Sequence, residues 1–403
     1  MKKIIIIILS LCVFWDVKAI NRYVDPNLSS GNGINLFNSI TSAVNASING
    51  DNILIVQGTY NEPTLVVSKS LTFLSQNQGG IIVLNSNITI QGFPGMKLTF
   101  LGFNLGLYSV SSSPISSGSA NNRAKINFID CLMYNLDINN DYYELNCISS
   151  KISNNILFRF GSVVLSKSTN LYLLDEPLSN LSNTKNLIAA DSVSNRLEIR
   201  NDDYPVTIAN CQIKDLMFFK WNHLLTNINY IRNNRFSNSS NIMFSHNPPA
   251  YNIEFSSNEM ISNTHFASNG GCCGGCWDHN DGCWGFSPST SIFPNPSTSG
   301  FFRWRYNGID IPVSRPNAGQ PLNLDVVIGS SGLINTGDPN HEYYDIDLTV
   351  NDRGRNGGPY SLNNYSPASN PNGSKAFIFD LDIPADLFTG QSVTIKAKGY
   401  HKN

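Results

Sequence analysis

The sequence predicts an all-β chain wound as a single-stranded right-handed parallel β-helix, with an N-terminal capping helix and a β-rich C-terminal cap. Three observations point there: short apolar strand patterns divided by polar turns, a unit ending in Asn or Cys that recurs at about coil length, and one amphipathic helix placed where a first coil needs a lid. The 403 residues suit one long solenoid or roughly two to three compact domains, so length alone leaves the architecture open. Composition narrows it, because charged residues make up 14% of the chain against the roughly 25% usual for soluble domains, while aromatics reach 11%. Many short strands joined by polar turns have this profile. Formal net charge is -2 and no run of Lys or Arg follows Lys3, so the counterion-release term that drives nucleic-acid binding has little to act on. Nucleic acid and anionic membrane are therefore not expected as partners.

The chain opens with Lys2 and Lys3, an apolar run from Ile4 to Val13, and Val17-Lys18-Ala19 as an A-x-A-like cleavage site. Residues 1–19 read as a secretory signal peptide, which implies a secreted or cell-surface protein. No stretch reaches the ~20 apolar residues of a membrane helix, so no membrane span is expected. Cys12 raises a lipoprotein reading, but Leu11 is bulky where lipid-attachment motifs favour a small residue, and cleavage after Ala19 is preferred. Of eight cysteines, removal of the leader leaves Cys131, Cys147, Cys211, Cys272, Cys273, Cys276 and Cys283. An odd count in an oxidising compartment leaves one thiol free or paired between molecules.

From Ile34 to Ser47, residues Leu36, Phe37, Ile40, Ala43 and Val44 fall at helical spacing, and Gly50 stands where a helix would stop. The open end of a solenoid exposes core side chains, so a helix here has a physical reason. Asn52–Val56 then reads as a strand, Gly58-Thr59-Tyr60 as a turn, Leu65–Val67 as a second strand and Leu71–Leu74 as a third. Three short strands per coil are expected.

This opening, from Tyr23-Val24-Asp25 through the helix to Gly50-Asp51-Asn52-Ile53-Leu54-Ile55-Val56-Gln57-Gly58-Thr59-Tyr60, resembles that of the secreted bacterial pectate-lyase-like right-handed parallel β-helix proteins. The resemblance implies the fold and a place among extracellular proteins that handle or display carbohydrate.

Between residues 80 and 265 one unit recurs as Asn127-Phe-Ile-Asp-Cys131, Thr207-Ile-Ala-Asn-Cys211, Tyr230-Ile-Arg-Asn-Asn234 and Glu254-Phe-Ser-Ser-Asn258. Cys211, Asn234 and Asn258 are 23 and 24 residues apart, and the 80 residues from Cys131 to Cys211 correspond to about four coils. Stacked coils would bring these positions into one ladder. Asn there can hydrogen-bond the coils above and below, and Cys fills the same slot as a small hydrophobe. Cys131, Cys147 and Cys211 are accordingly expected to be packed.

Towards the C-terminus, Pro288, Pro294 and Pro296 argue against central strands. Ile292-Phe-Pro-Asn-Pro296, Gly332-Leu-Ile-Asn-Thr-Gly-Asp-Pro339, Asp345-Ile-Asp347 and Asn351-Asp352-Arg-Gly354 through Gly357-Gly358-Pro359 resemble the terminal-coil signatures of bacterial secreted β-helix proteins. Residues from Lys375 to Lys398 read as two strands around Leu387-Phe-Thr-Gly390. The expected organisation is a leader at 1–19, a solenoid at 20–335 that includes a Cys/Gly/Trp-rich loop at 270–286, and a terminal coil with a β cap at 336–403.

The sharpest local motif is that loop, Gly270 to Gly285, whose cysteines follow C-x2-C-x6-C with an extra Cys in front. Cys272, Cys273, Cys276 and Cys283 are disulfide candidates that would staple a Gly-rich loop without much core of its own. The alternative is zinc, with His279, Asp278 and Asp281 close by. Trp277, Trp284 and Phe286 offer aromatic faces for sugar rings and Asp278 a hydroxyl partner, which makes this loop the carbohydrate-contact candidate; the alternative is burial against the solenoid. Asp338, Asp345, Asp347 and Asp352 are hard oxygen donors among turn residues. Asp345, Asp347 and Asp352 form the candidate calcium set, an ion the resemblance to β-helix lyases also implies, against the alternative of side chains bonding their own backbone turns. Beyond calcium, no cofactor is expected. Asp202-Asp203 is a weak carboxylate pair for glycoside hydrolysis. The scattered His223, His246, His265 and His341 have no partner at defined spacing.

The catalytic constellations of pectate lyases and polygalacturonases are not found at matching positions, so no activity carries over from the resemblance. The expected function is binding of a polysaccharide or other glycan through one long face and the 270–286 loop. The alternatives are a polysaccharide lyase or glycosidase with its residues in the middle coils, and a structural adhesin or envelope protein.

Overall fold

The computed structural model describes residues 19–268 except 78–79, 119–121, 141, 165, 175–185, 190–192, 201–205, 219–228, 245–252 and 261–264. Beyond these it describes 302–305, 308–309, 327–328, 375–382, 396–402 and the single positions 335, 337, 339, 350, 352 and 354. Two large parallel sheets, one of thirteen strands and one of seventeen, account for nearly all the regular structure among the described residues, with a single helix. This is an all-β architecture consistent with a parallel β-helix-like solenoid. Each strand pairs with its counterpart one coil later: Asn52–Ile55 pairs with Thr72–Ser75, Lys97–Leu101 with Ala124–Ile129, and so on to Phe302–Arg305.

The early coils contribute one strand to the first sheet and two short strands to the second, such as Gly58–Tyr60 with Leu65–Val67, then Ile82–Leu84 with Ile88–Ile90. Three strands per coil is thus the pattern here, although Gly58–Tyr60 is a strand rather than the expected turn. From Lys151–Phe158 to Arg235–Phe244 the two short strands fuse into one longer strand, as in Lys167–Leu173 and Gln212–Phe218, and they separate again as Glu259–Met260 and His265–Ser268. Register breaks between Ile152 and Asn155, Ser168 and Asn170, and Ile213 and Asp215 mark where the two halves join.

Stacking in register makes columns of the core. Phe73, Phe100 and Phe128 occupy one inward column, with ring centroids 4.8 Å and 5.2 Å apart and nearly parallel planes, and Phe103 packs edge-on against Phe100 at 5.5 Å. The column continues through Cys147, Val163, Ile188, Ile208 and Ile231, all buried. Each fully buried phenylalanine contributes about 1.5–3 kcal/mol of transfer free energy.

The N-terminal end is closed by the helix Ile40–Ala46, shorter than expected. Leu36–Phe37 belongs to an edge strand paired with Tyr23 and Val24; its helical spacing is coincidental, because that short segment satisfies its backbone in the sheet. Ser39 caps the helix by accepting the Ser42 N–H at 3.2 Å. Charges from the next coil hold both helix ends. The Glu62 carboxylate accepts the N–H groups of Ile40 at 2.5 Å and Thr41 at 2.7 Å, and Lys69 Nζ donates to the carbonyls of Val44 at 2.8 Å and Asn45 at 2.9 Å. Both signs suit the helix dipole. Buried Ile40, Ala43 and Val44 cover the first coil. At the same end, Arg22 Nε lies 2.6 Å from Asp51 Oδ2 in a buried ion pair. Asp51 also accepts the N–H groups of Ile20 and Ile48, each at 3.0 Å.

The expected ladder is present at the turn from the first sheet to the second. One residue per coil there has a left-handed backbone, among them Asp130, Ser149, Asn210, Asn233 and Ser257, with φ between 51° and 56°. The next residue points inward and bonds the neighbouring coils. Cys131 N–H donates to Ser150 Oγ at 3.1 Å, Ser150 N–H to Ser166 Oγ at 3.1 Å, Cys211 N–H to Asn234 Oδ1 at 3.0 Å, and Asn234 N–H to Asn258 Oδ1 at 2.9 Å. First-sheet register takes Ile129 to Ala209 through Ile148, Val164 and Ala189, four coils as the sequence spacing predicts. Serine serves in this slot as well as Asn and Cys.

Lys375–Asp382 and Lys396–Lys402 form an antiparallel pair; two strands are expected here within 375–398, and the second lies further along the chain.

Candidate functional site

Most residues singled out by the sequence as binding candidates lie outside the described residues: Trp277, Asp278, Trp284 and Phe286, the disulfide candidates Cys272, Cys273, Cys276 and Cys283, and Asp345 and Asp347. So do Asp202, Asp203, His223, His246 and His341. Asp352 is described. Its carboxylate accepts the Asn335 N–H at 2.7 Å, its carbonyl accepts the Asn233 side-chain amide at 2.7 Å, and Gly354 N–H donates to the Ser257 carbonyl at 2.8 Å. Asn335 repeats the left-handed conformation of Asn233 and Ser257, and Asp352 and Gly354 bond to these three residues. Among the described residues, no group of three or more His, Cys, Asp or Glu side chains could hold a metal ion.

Cys131 and Cys147 are buried free thiols, and Cys211 is buried in the same core. Burial pushes the Cys131 thiol up to about 12 and the Cys147 thiol to about 11. These are packing groups, inert as nucleophiles.

The feature that sequence reading missed is the outer wall of the second sheet. Where the two strands of each coil meet, polar residues from six successive coils are linked along the solenoid axis, through side chains and through the backbone N–H groups of Ser109 and Asn155. Asn87 Oδ1 accepts the Ser109 N–H at 2.9 Å; Asn135 Nδ2 reaches Ser109 Oγ at 3.5 Å; Asn155 N–H donates to Asn135 Oδ1 at 3.2 Å. Asn170 Nδ2 then donates to Asn155 Oδ1 at 3.0 Å, and Asn195 Nδ2 to Asn170 Oδ1 at 3.3 Å. An asparagine amide has two N–H donors and two acceptor lone pairs, so a bond up and a bond down the axis leave capacity facing solvent. Regular spacing follows from the sheet, at roughly 4.8 Å per coil.

Tyr108 and Tyr134 stand beside this chain on consecutive coils, their backbones joined by the Tyr134 N–H to Tyr108 carbonyl bond at 2.9 Å. Their side chains are exposed, at 38% and 39%, and Leu107 next to them is 84% exposed. Exposed Ser153, Thr169, Lys151 and Lys167 continue the wall on the next coils. At its far end Glu198, 1% exposed, is held between Arg196 Nη2 at 2.7 Å and Arg200 Nε, and register sets Tyr172 opposite Glu198.

A second polar chain runs up the outer face of the first sheet: Asn127 Nδ2 to Thr99 Oγ1 at 3.0 Å, Asn146 Nδ2 to Asn127 Oδ1 at 3.0 Å, and Ser162 Oγ to Asn146 Oδ1 at 2.9 Å. It is flanked by Lys97, Lys125 and Glu144 and by an outward apolar cluster of Val164, Ala189 and Ala209 that is itself buried. Among the described residues, only the second-sheet wall pairs its amides with exposed tyrosines.

The class that fold and site define together is an all-β protein of two large parallel sheets, consistent with a β-helix-like solenoid, with an ordered polar outer wall. Comparison with protein-family models, curated proteins and solved structures finds no match. Among the described residues, no helix is long and apolar enough to cross a membrane.

Proposed function

We propose that the chain is an exported, single-stranded, right-handed parallel β-helix protein of the pectate-lyase-like kind that binds a linear polysaccharide along the outer wall of its second sheet. One observation carries this reading: a hydrogen-bonded chain of five asparagines and one serine crossing six coils lies beside two exposed tyrosines on successive coils. Aromatic faces stack on the apolar face of a sugar ring, and spare amide donors and acceptors take its hydroxyls. A repeat along the protein meets a repeat along the polymer. The leader at 1–19 supports export, and the 270–286 loop with Trp277 and Trp284 is a second contact for the same polymer. Binding needs no cofactor; calcium at Asp345, Asp347 and Asp352 would be structural.

A polysaccharide lyase is the second reading, favoured by one cluster in which Arg196 and Arg200 flank Glu198 with Tyr172 in register. A glycan array on the full chain, run beside Tyr108→Ala/Tyr134→Ala and Trp277→Ala/Trp284→Ala, separates the readings when unsaturated-product and reducing-end assays follow on every glycan retained. Loss of binding in the tyrosine variant without product supports the wall. Loss only in the tryptophan variant moves the site to the loop, product formation establishes an enzyme, and no binding at all favours a structural adhesin.

A further inference from the structure

Resting on the polysaccharide-binding reading, we infer that the polymer is anionic, carrying sulfate or carboxylate groups that Lys151 and Lys167 engage.

The two lysines are register partners on adjacent coils at the margin of the wall, and both are exposed. Like charges held directly opposite in neighbouring strands repel. Elsewhere the fold relieves the same arrangement. On the first sheet Lys97 and Lys125 are register partners, and the following coil brings Glu144, whose carboxylate lies 3.7 Å from Lys125 Nζ. Among the described residues, neither Lys151 nor Lys167 has an ion pair or a side-chain hydrogen bond. The coil before them places Leu132 opposite Lys151, so no carboxylate enters the column from that side.

Their surroundings suit an anionic sugar. Two residues further along the same strands stand the exposed Ser153 and Thr169, and then Asn155 and Asn170, whose amides belong to the axial chain. A polymer lying along the axis would meet ammonium groups on one side, hydroxyls in the middle and amides on the other. Ammonium donors fit sulfate or carboxylate oxygens, and the hydroxyl and amide columns fit ring hydroxyls. With a formal net charge of -2, the chain as a whole offers no general attraction to polyanions, so the effect is local to this strip.

The test uses the full chain with dextran, carboxymethyl-dextran and dextran sulfate, neutral and charged forms of one backbone, with double-stranded DNA as a polyanion of another class. Charged dextrans are expected to bind about tenfold more tightly than dextran at low ionic strength, with the preference falling as salt rises. Lys151→Gln/Lys167→Gln should abolish the preference while leaving the melting temperature of the free protein unchanged or raised, and Lys125→Gln should retain it. Equal binding of neutral and charged dextrans, independent of salt, overturns the inference and leaves the neutral-glycan reading standing. Lysine-dependent DNA binding as tight as that of dextran sulfate overturns the assignment to a glycan. If none of the polymers binds, the inference fails, and a glycan array then decides separately whether the binding reading fails with it.

Discussion

Asn234 and Asn258 hold each other across one turn of the solenoid: Asn234 N–H and its side-chain amide both reach Asn258 Oδ1, at 2.9 Å and 3.1 Å, while the Asn234 amide also donates to the Ile208 carbonyl at 2.9 Å. The Asn234 side chain thereby bonds the coils on both sides, since its Oδ1 also accepts the Cys211 N–H at 3.0 Å. Asn234→Ala would leave the Cys211 N–H and the Ile208 carbonyl without these partners. The expected loss is about 2–4 kcal/mol, measured by urea unfolding. A loss under about 0.5 kcal/mol would show that water replaces the side chain.

The buried Arg22–Asp51 pair predicts an acid dependence. Burial raises the Asp51 pKa, but the N–H groups of Ile20 and Ile48 and the Arg22 guanidinium more than offset it, and the carboxyl is held below its ordinary range. A depressed folded-state value contributes stability above the unfolded value near 3.9 and loses it as pH falls through the folded one. Asp51→Asn should cost about 3–5 kcal/mol at neutral pH, and the gap to the parent should close below about pH 4. Parallel stability curves of the two proteins across that range would contradict it.

Thiol chemistry offers a third check. At about pH 8, Cys131, Cys147 and Cys211 should remain unlabelled by iodoacetamide in the folded protein, since burial holds the Cys131 and Cys147 thiols near about 12 and about 11. All three should label after unfolding in denaturant, as read by peptide mass spectrometry. Fast labelling of Cys131 in the native state would contradict its place in the turn ladder.

Gly161 shows how tightly coils approach. Its φ is +128°, and a Cβ added there would lie 1.8 Å from the Leu145 carbonyl oxygen. Gly161→Ala should therefore destabilise by about 3 kcal/mol or more, through strain and displaced backbone together. A melting temperature equal to the parent's would show that the two coils can separate locally.

What the sequence made legible was the inward half of each coil. Asn and Cys at 23- and 24-residue spacing foretold the turn ladder, because an inward slot admits few side chains and repeats them. Ser150 and Ser166 escaped notice since their coils are only 19 and 16 residues long, and serine is common at solvent-facing positions too. The outer wall was harder still. Its asparagines belong to no local motif; stacking alone brings Asn135, Asn155 and Asn170 together, and the register breaks beside them spoil the two-residue alternation that would mark a strand. Glu198 meets Tyr172 for the same reason. Leu36 and Phe37 misled in the opposite direction, since residues a few positions before a helix can match its period while pairing with a strand.

Because every coil bonds to its neighbours through the same few slots, the solenoid has no fixed number of turns. Removing or duplicating one coil, such as the 16 residues 150–165 that precede Ser166, would reconnect equivalent bonds on either side. The outer face would become shorter or longer by one strand spacing, with the helix-capped first coil unchanged. For a polymer lying along that face as proposed, the count of coils would fix how many of its units the chain spans.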